Sequence, residues 1–239
     1  MKESMINLAI RYLLPRDWKY ACWVDTDIAF DNDNWAQMTL NQLQGYAAVQ
    51  PFQHCIDLGP YGEILQTFKG FGWGHQTKQR RQRNSQEKCY EYFHCGYAWA
   101  FTRRLFEAMP GAGLIDWMIL GSADWNMACS FIGEVDTTIY GNRAPSIISR
   151  LKDWERAVVK QTSGEVGYAP GYIRHFFHGN KKKRYYETRD QIFERCGFDP
   201  EHDLGYDEQG LIRIFNNPKL EHEIRRYNRS RSEDGLDAY

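Results

Sequence analysis

The chain lacks any apolar run near the roughly 18 residues of a membrane helix; the nearest candidate, residues 5–14, is broken by Asn7, Arg11 and Tyr12. No membrane span, membrane partner or signal peptide is expected, and the setting read from this is cytoplasmic. Zinc-like cysteine spacing is also missing: Cys22, Cys55, Cys89, Cys95, Cys129 and Cys196 read as free thiols in reducing surroundings. Nor is there a charge imbalance. With 30 Lys and Arg against 31 Asp and Glu the formal net charge is −1, so attraction to nucleic acid has to come from local patches. Internal repeats and a domain linker are not apparent. What remains, 239 residues of which 42% are hydrophobic, is long enough for one large domain with a substantial core.

The pattern alternates helix and strand. Residues 4–14 place Met5, Leu8, Ile10, Tyr12 and Leu13 at helical spacing and stop at Pro15. A strand is expected over residues 20–24, then a helix capped by Asp33 to about Leu43, then a strand over 47–52. This is the signature of a layered α/β domain. From 69 to 90 the pattern dissolves into Gly70, Gly72, Gly74 and a run of Arg80, Arg81 and Arg83, too long and polar for an ordinary connection. A short strand over 97–101, a helix capped by Thr102, a helix from Gly121-Ser122 to Phe131 and a longer one from Pro145 follow. An aromatic strand to Phe177 and a helix ending near Gly197 complete the domain, set at 1–215, with 216–239 as a charged, frayed tail.

Three clusters carry chemistry. Trp23-Val24-Asp25-Thr26-Asp27-Ile28 puts Asp25 and Asp27 side by side at the carboxyl end of a buried strand, where open α/β sheets place ligands. Carboxylates there suit Mg²⁺ or Mn²⁺ shared with substrate phosphates, although Asp-x-Asp also serves as turn chemistry. His175-Phe176-Phe177-His178-Gly179 offers two imidazoles that can complete such a site, ahead of a basic stretch, Lys181 to Arg184. Asp124, with Asp116, Trp117 and Trp125 around it, lies at a helix start where the dipole favours its anion, and it can act as a general base or simply serve the helix end.

The order of these blocks resembles the metal-dependent nucleotide-sugar glycosyltransferases of the GT-A fold. Within that group it is most similar to the phage-borne, TET-associated enzymes that glycosylate 5-hydroxymethylcytosine in DNA. The resemblance implies a GT-A-like mixed sheet flanked by helices, a single domain with a long basic loop, and residence in an infected bacterial host. One departure is plain: a single helix precedes the Asp-x-Asp strand, where family members carry further strands of the nucleotide-binding part. By the resemblance, Asp25, Asp27 and His178, with His175 as second choice, hold Mn²⁺ or Mg²⁺ against the diphosphate of a nucleotide-sugar donor. Asp124 is the base of an inverting hexosyl transfer to a hydroxyl, while Lys181 and Arg184 bind donor phosphate. Trp117, Trp125, Asp116, Trp73, Arg80 and Arg81 meet the acceptor, which is DNA or else a glycan or protein.

Two competitors stand beside this reading. Phosphatases with an aspartate nucleophile share Asp-x-Asp but usually carry Thr or Val where this chain has Ala29. A nucleic-acid or sugar-binding module would use the aromatics and basic loop alone, without metal.

Overall fold

Proline at position 15 ends the first helix, as its missing N–H and ring demand: α1 spans Lys2–Leu13 and buries Glu3, Ser4, Asn7 and Ile10. In the computed structural model, which describes residues 2–79, 93–179, 185 and 189–231, the chain then alternates strands and helices in the expected α/β class. The strands are β1 (Tyr20–Val24), β2 (Ile28–Phe30), β3 (Ala48–Gln50), β4 (His54–Leu58), β5 (Ile64–Lys69), β6 (Ala98–Thr102), β7 (Gly167–Tyr168), β8 (Tyr172–His175), β9 (Leu204–Tyr206) and β10 (Ile212–Ile214). Two four-stranded mixed sheets form, in the orders β1-β6-β3-β7 and β2-β8-β4-β5, and β9 pairs with β10 as a hairpin. Strands β1 and β2, neighbours in sequence, belong to different sheets, so residues 25–27 lie at the seam between them.

Helices flank these sheets: α2 (Trp35–Gln42), α3 (Phe71–Gln76), α4 (Arg103–Ala108), α5 (Ala123–Phe131), α6 (Pro145–Thr162), α7 (Gln191–Cys196), α8 (Pro200–Asp203) and α9 (Pro218–Ser230). Thr102 caps α4 by accepting from Leu105 N at 3.2 Å, as expected. Asp33 does not cap α2. Asn34 occupies that place without a side-chain cap bond, and the Asn32 carboxamide accepts from Asn34 N at 2.9 Å to make the turn. Helix α6 buries Ile147, Leu151, Trp154 and Val158, four of the five apolar residues expected on one face; the fifth, Ile148, is only half-buried. The core joins β6 to α5 and α6 through Trp99, Phe131 and Trp154, whose ring centroids follow one another at 5.5 Å.

Three further expectations need correction. The apolar residues at helical spacing on α1 do not form its buried face: Met5, Tyr12 and Leu13 are exposed, and Glu3, Ser4 and Asn7 are buried beside Ile10. Residues 54–69, given no structure from sequence, form the β4–β5 hairpin, and α3 follows within the glycine-rich stretch. The segment from 216 is not frayed over its described length: α9 docks Leu220 and Tyr227 into the main core, with Ile224 packed against it. The expected basic loop residues Arg80, Arg81 and Arg83, together with Cys89 and the stretch Lys181 to Arg184, lie outside the described residues. No helix among the described residues is long and apolar enough to cross a membrane.

Candidate metal centre

Strand register assembles the site. In the second sheet Ile28 pairs with His175 across β2–β8, and His175 pairs with Asp57 across β8–β4. Asp27, one residue before Ile28, is fastened to the same point by Phe176 N donating to Asp27 O at 2.8 Å. The chain turns back after β8, so His178 returns to the group. The Asp27 carboxylate Oδ2 then stands 2.9 Å from His178 Nε2 and 3.4 Å from His175 Nε2, and the two Nε2 atoms are 3.0 Å apart.

These three atoms suit one divalent ion. Ligands about 2.1 Å from a common ion lie about 3.0 Å apart in octahedral and about 3.4 Å apart in tetrahedral geometry. The observed separations fall on those edges, and Asp27, His175 and His178 form a potential ligand set with all three donor atoms within 4.8 Å. The other oxygen, Asp27 Oδ1, is buried and meets no hydrogen-bond partner. An unsatisfied buried carboxylate oxygen is costly, and a cation bound through both oxygens of Asp27 would offset that cost.

His175 is held from behind. Its Nδ1 lies 2.9 Å from Asp57 Oδ1, and the Tyr97 hydroxyl donates to that same oxygen at 3.1 Å. An ionised carboxylate only accepts, so this contact keeps the proton on Nδ1 and turns the Nε2 lone pair toward Asp27 and His178. Burial would lower the His175 pKa, but hydrogen bonds and charge from Asp27 and Asp57 outweigh it and raise it above 6.5. Burial likewise opposes ionisation of Asp27, yet its bonds to His175 and His178 hold it far below the ordinary carboxylate value. The Tyr97 phenol is raised, first by burial and then by Cys55 and Asp57, which keeps it a donor. Tyr97 sits at a left-handed φ of 74°, a conformation non-glycine residues avoid, and its carbonyl accepts from Asp25 N at 2.8 Å. One tyrosine therefore ties the Asp-x-Asp turn to the residue that orients His175.

Asp25 is placed differently. Its two oxygens accept from Lys2 Nζ at 3.1 and 3.4 Å, so the first helix supplies a cation to the first aspartate while the second faces the histidines. Burial raises the Asp25 pKa, Lys2 opposes this, and the charges of Asp27 and Asp124 add to it. Asp124 thus shares the electrostatic neighbourhood of Asp25 and Lys2. It stands in the first turn of α5, after Gly121 and Ser122 at φ 103° and 68°. A Cβ on Gly96 would come 2.8 Å from Asp124 Oδ2, so only glycine leaves that carboxylate its position.

No family model matches the chain, and neither does any curated protein or solved structure. A cavity of about 440 Å³ opens beside His178, between Leu58, Gly59, Pro60 and Gly62 on the β4–β5 turn and residues 176–179. Of the three candidate ligands only His178 lines it, with Phe176 and Phe177 as apolar wall.

The residues expected to meet an acceptor are dispersed. Asp116 accepts from the Tyr206 hydroxyl at 3.1 and 3.2 Å and, with Trp117, lines a separate cavity against α1 and α6. Trp117 is buried there beneath Arg150. Trp73 packs against His54 and Phe93, and Trp125 against Tyr140. Sequence reasoning missed Asp57, Tyr97, Gly96 and Lys2. For Asp57 a signal existed: in Cys55-Ile56-Asp57-Leu58 the carboxylate falls on the buried parity of the strand, where an acid needs a partner.

Proposed function

We propose that the chain is a divalent-metal-dependent, inverting glycosyltransferase that moves a sugar from a nucleotide-diphosphate donor to a hydroxyl. The observation that carries this is the Asp27, His175 and His178 set, backed by Asp57, with Asp124 and Lys2 in the electrostatic neighbourhood of Asp25. When bound, Mn²⁺ or Mg²⁺ would offset the charge of a departing diphosphate. Asp27, His175 and His178 would hold that ion, and Asp57 fixes the His175 imidazole. Lys2 keeps its positive charge: burial would lower its pKa, but Asp25, Asp124 and Glu3 raise it, so an ammonium stands ready for a phosphate oxygen. Asp124 takes the proton of the attacking hydroxyl on Oδ2, since Oδ1 already accepts from Trp125 N at 2.9 Å. The acceptor we propose is 5-hydroxymethylcytosine in DNA, a choice that rests on the resemblance of the four sequence blocks.

The experiment is release of nucleoside diphosphate from a panel of nucleotide sugars with Mn²⁺, with and without DNA containing 5-hydroxymethylcytosine. Release that needs metal and modified DNA, and is lost in Asp27→Asn and Asp124→Asn, supports the whole reading. Release without DNA retains the transferase and rejects the acceptor. Absence of release with every donor refutes it.

One observation favours a second reading. Two histidines and one carboxylate on a common face are also the donor set of mononuclear iron(II) oxygenases. Oxygen uptake by the Fe²⁺-loaded chain, with no diphosphate release under Mn²⁺, would select that alternative.

A further inference from the structure

Away from the Asp27 centre, the residues leading into α6 and helix α7 enclose a cavity of about 290 Å³. One wall is apolar, built from Ile147, Phe193 and Phe198, the two phenylalanines stacked at 4.4 Å. The other wall is polar and buried. Arg143 has only 5% of its side chain exposed, and Asp190 11%, and they pair through Arg143 Nη2 and Asp190 Oδ2 at 3.1 Å. The Tyr140 hydroxyl donates to the same Oδ2. The guanidinium lies over the Tyr140 ring, 4.6 Å from its centre, but Arg143 Nε and Nη1 and Asp190 Oδ1 are buried and meet no hydrogen-bond partner. Protein interiors leave few such groups unsatisfied, and a guanidinium with two spare N–H donors is among the more costly to leave.

What fills the cavity must answer this pattern. The charges around it are Arg143, Asp190 and Glu194, whose carboxylate accepts from Asn142 N at 2.9 Å. Their sum is one negative charge, so a phosphate or carboxylate gains no net attraction. A cation has nothing to offer the spare N–H groups. A neutral planar group does answer, provided that it brings acceptors to Arg143, a donor to Asp190 Oδ1 and a flat apolar face to the phenylalanines. Heterocyclic amides of the nucleobase class have that edge and that face. The volume is just below the about 300–1,000 Å³ usual for small-molecule sites, which fits a single ring system better than an oligomer.

We propose that this cavity binds one nucleobase, with ring acceptors on Arg143 and an N–H on Asp190. The assignment does not depend on the glycosyltransferase reading, because it uses none of the metal-centre residues.

The test is saturation-transfer NMR and equilibrium dialysis of the full chain in EDTA with adenosine, guanosine, cytidine and uridine. Nucleosides without phosphate keep the metal centre out of the measurement. Ribose 5-phosphate and acetamide serve as controls for the sugar, the anion and the bare amide. Saturable binding of at least one nucleoside is expected, about tenfold or more weaker in Arg143→Lys, which cannot reproduce the guanidinium fork. Ala144→Leu, which adds bulk at a residue lining the cavity while keeping Arg143 and Asp190 themselves, should abolish binding in a chain that still melts cooperatively. Asp27→Asn should bind nucleosides as the parent does. The proposal is overturned if no nucleoside saturates, if Ala144→Leu binds as tightly as the parent, or if ribose 5-phosphate or acetamide binds as well as the nucleosides.

Discussion

Replacing Asp57 by Asn tests whether the metal centre is built as described. The substitution keeps the volume and leaves an oxygen to accept the Tyr97 hydroxyl now bonded at 3.1 Å. It removes the anion that receives His175 Nδ1 at 2.9 Å. A carboxamide can turn its NH₂ toward Nδ1, and the imidazole then carries its proton on Nε2, the atom 3.0 Å from His178 Nε2. That proton occupies the lone pair needed by a metal. Loss of such a supporting partner weakens metal affinity about 10- to 100-fold, or about 1.4–2.7 kcal/mol. At metal concentrations well above both dissociation constants, Mn²⁺ then stabilises the variant by that much less than the parent. For a chain of this size the melting temperature under Mn²⁺ should fall by about 3–10 °C relative to the parent's metal-induced rise. Mn²⁺ affinity is read by the free-ion EPR signal, and stability by thermal melts with and without metal. Affinity in Asp57→Asn within about twofold of the parent would refute the claim that Asp57 orients a ligand.

Further outcomes follow from the same geometry. His175 has a pKa raised above 6.5 in the folded chain, so its protonation stabilises the metal-free protein below pH about 6.5, and that stability is lost as pH rises through the raised value. Protons and metal compete for the same Nε2, so Mn²⁺ affinity should fall as the pH drops through the same window; titrations at several pH values check the sign, and a flat profile contradicts it. Gly96→Ala puts a methyl 2.8 Å from Asp124 Oδ2 and 2.9 Å from the His94 ring, and should slow the proposed sugar transfer while leaving Mn²⁺ affinity near the parent's. Leu220, fully buried on α9, should cost about 2–5 kcal/mol when cut to Ala, as urea melts would show; a change under about 0.5 kcal/mol would mean that the helix is not part of the core.

The elements legible in the sequence are those set by local rules. Pro15 closes α1, Thr102 caps α4, and the spacing of Ile147, Leu151, Trp154 and Val158 marks the buried face of α6. The β4–β5 hairpin was not legible because β5 is almost wholly exposed at a sheet edge and shows no buried alternation. Helix α9 was hidden by its charge, since only Leu220 and Tyr227 along it are buried.

The sequence by itself determined that Asp25 and Asp27 lie at a strand end, that two histidines three residues apart fall at the end of an aromatic strand, and that Asp124 opens a helix. Each depends on residues a few positions apart, which helix and strand periodicity read directly. The tertiary structure decided the rest. Asp27, Asp57 and His175 come together only because β2, β8 and β4 pair in one register, and a slip of one residue would turn His175 to the opposite face. The same packing separates the two aspartates, giving Asp25 to Lys2 and Asp27 to the histidines, and draws Asp116 and Trp117 into another cavity. Strand pairing across more than a hundred residues leaves no periodic trace in either segment, so the ligand set belongs to the fold rather than to any motif.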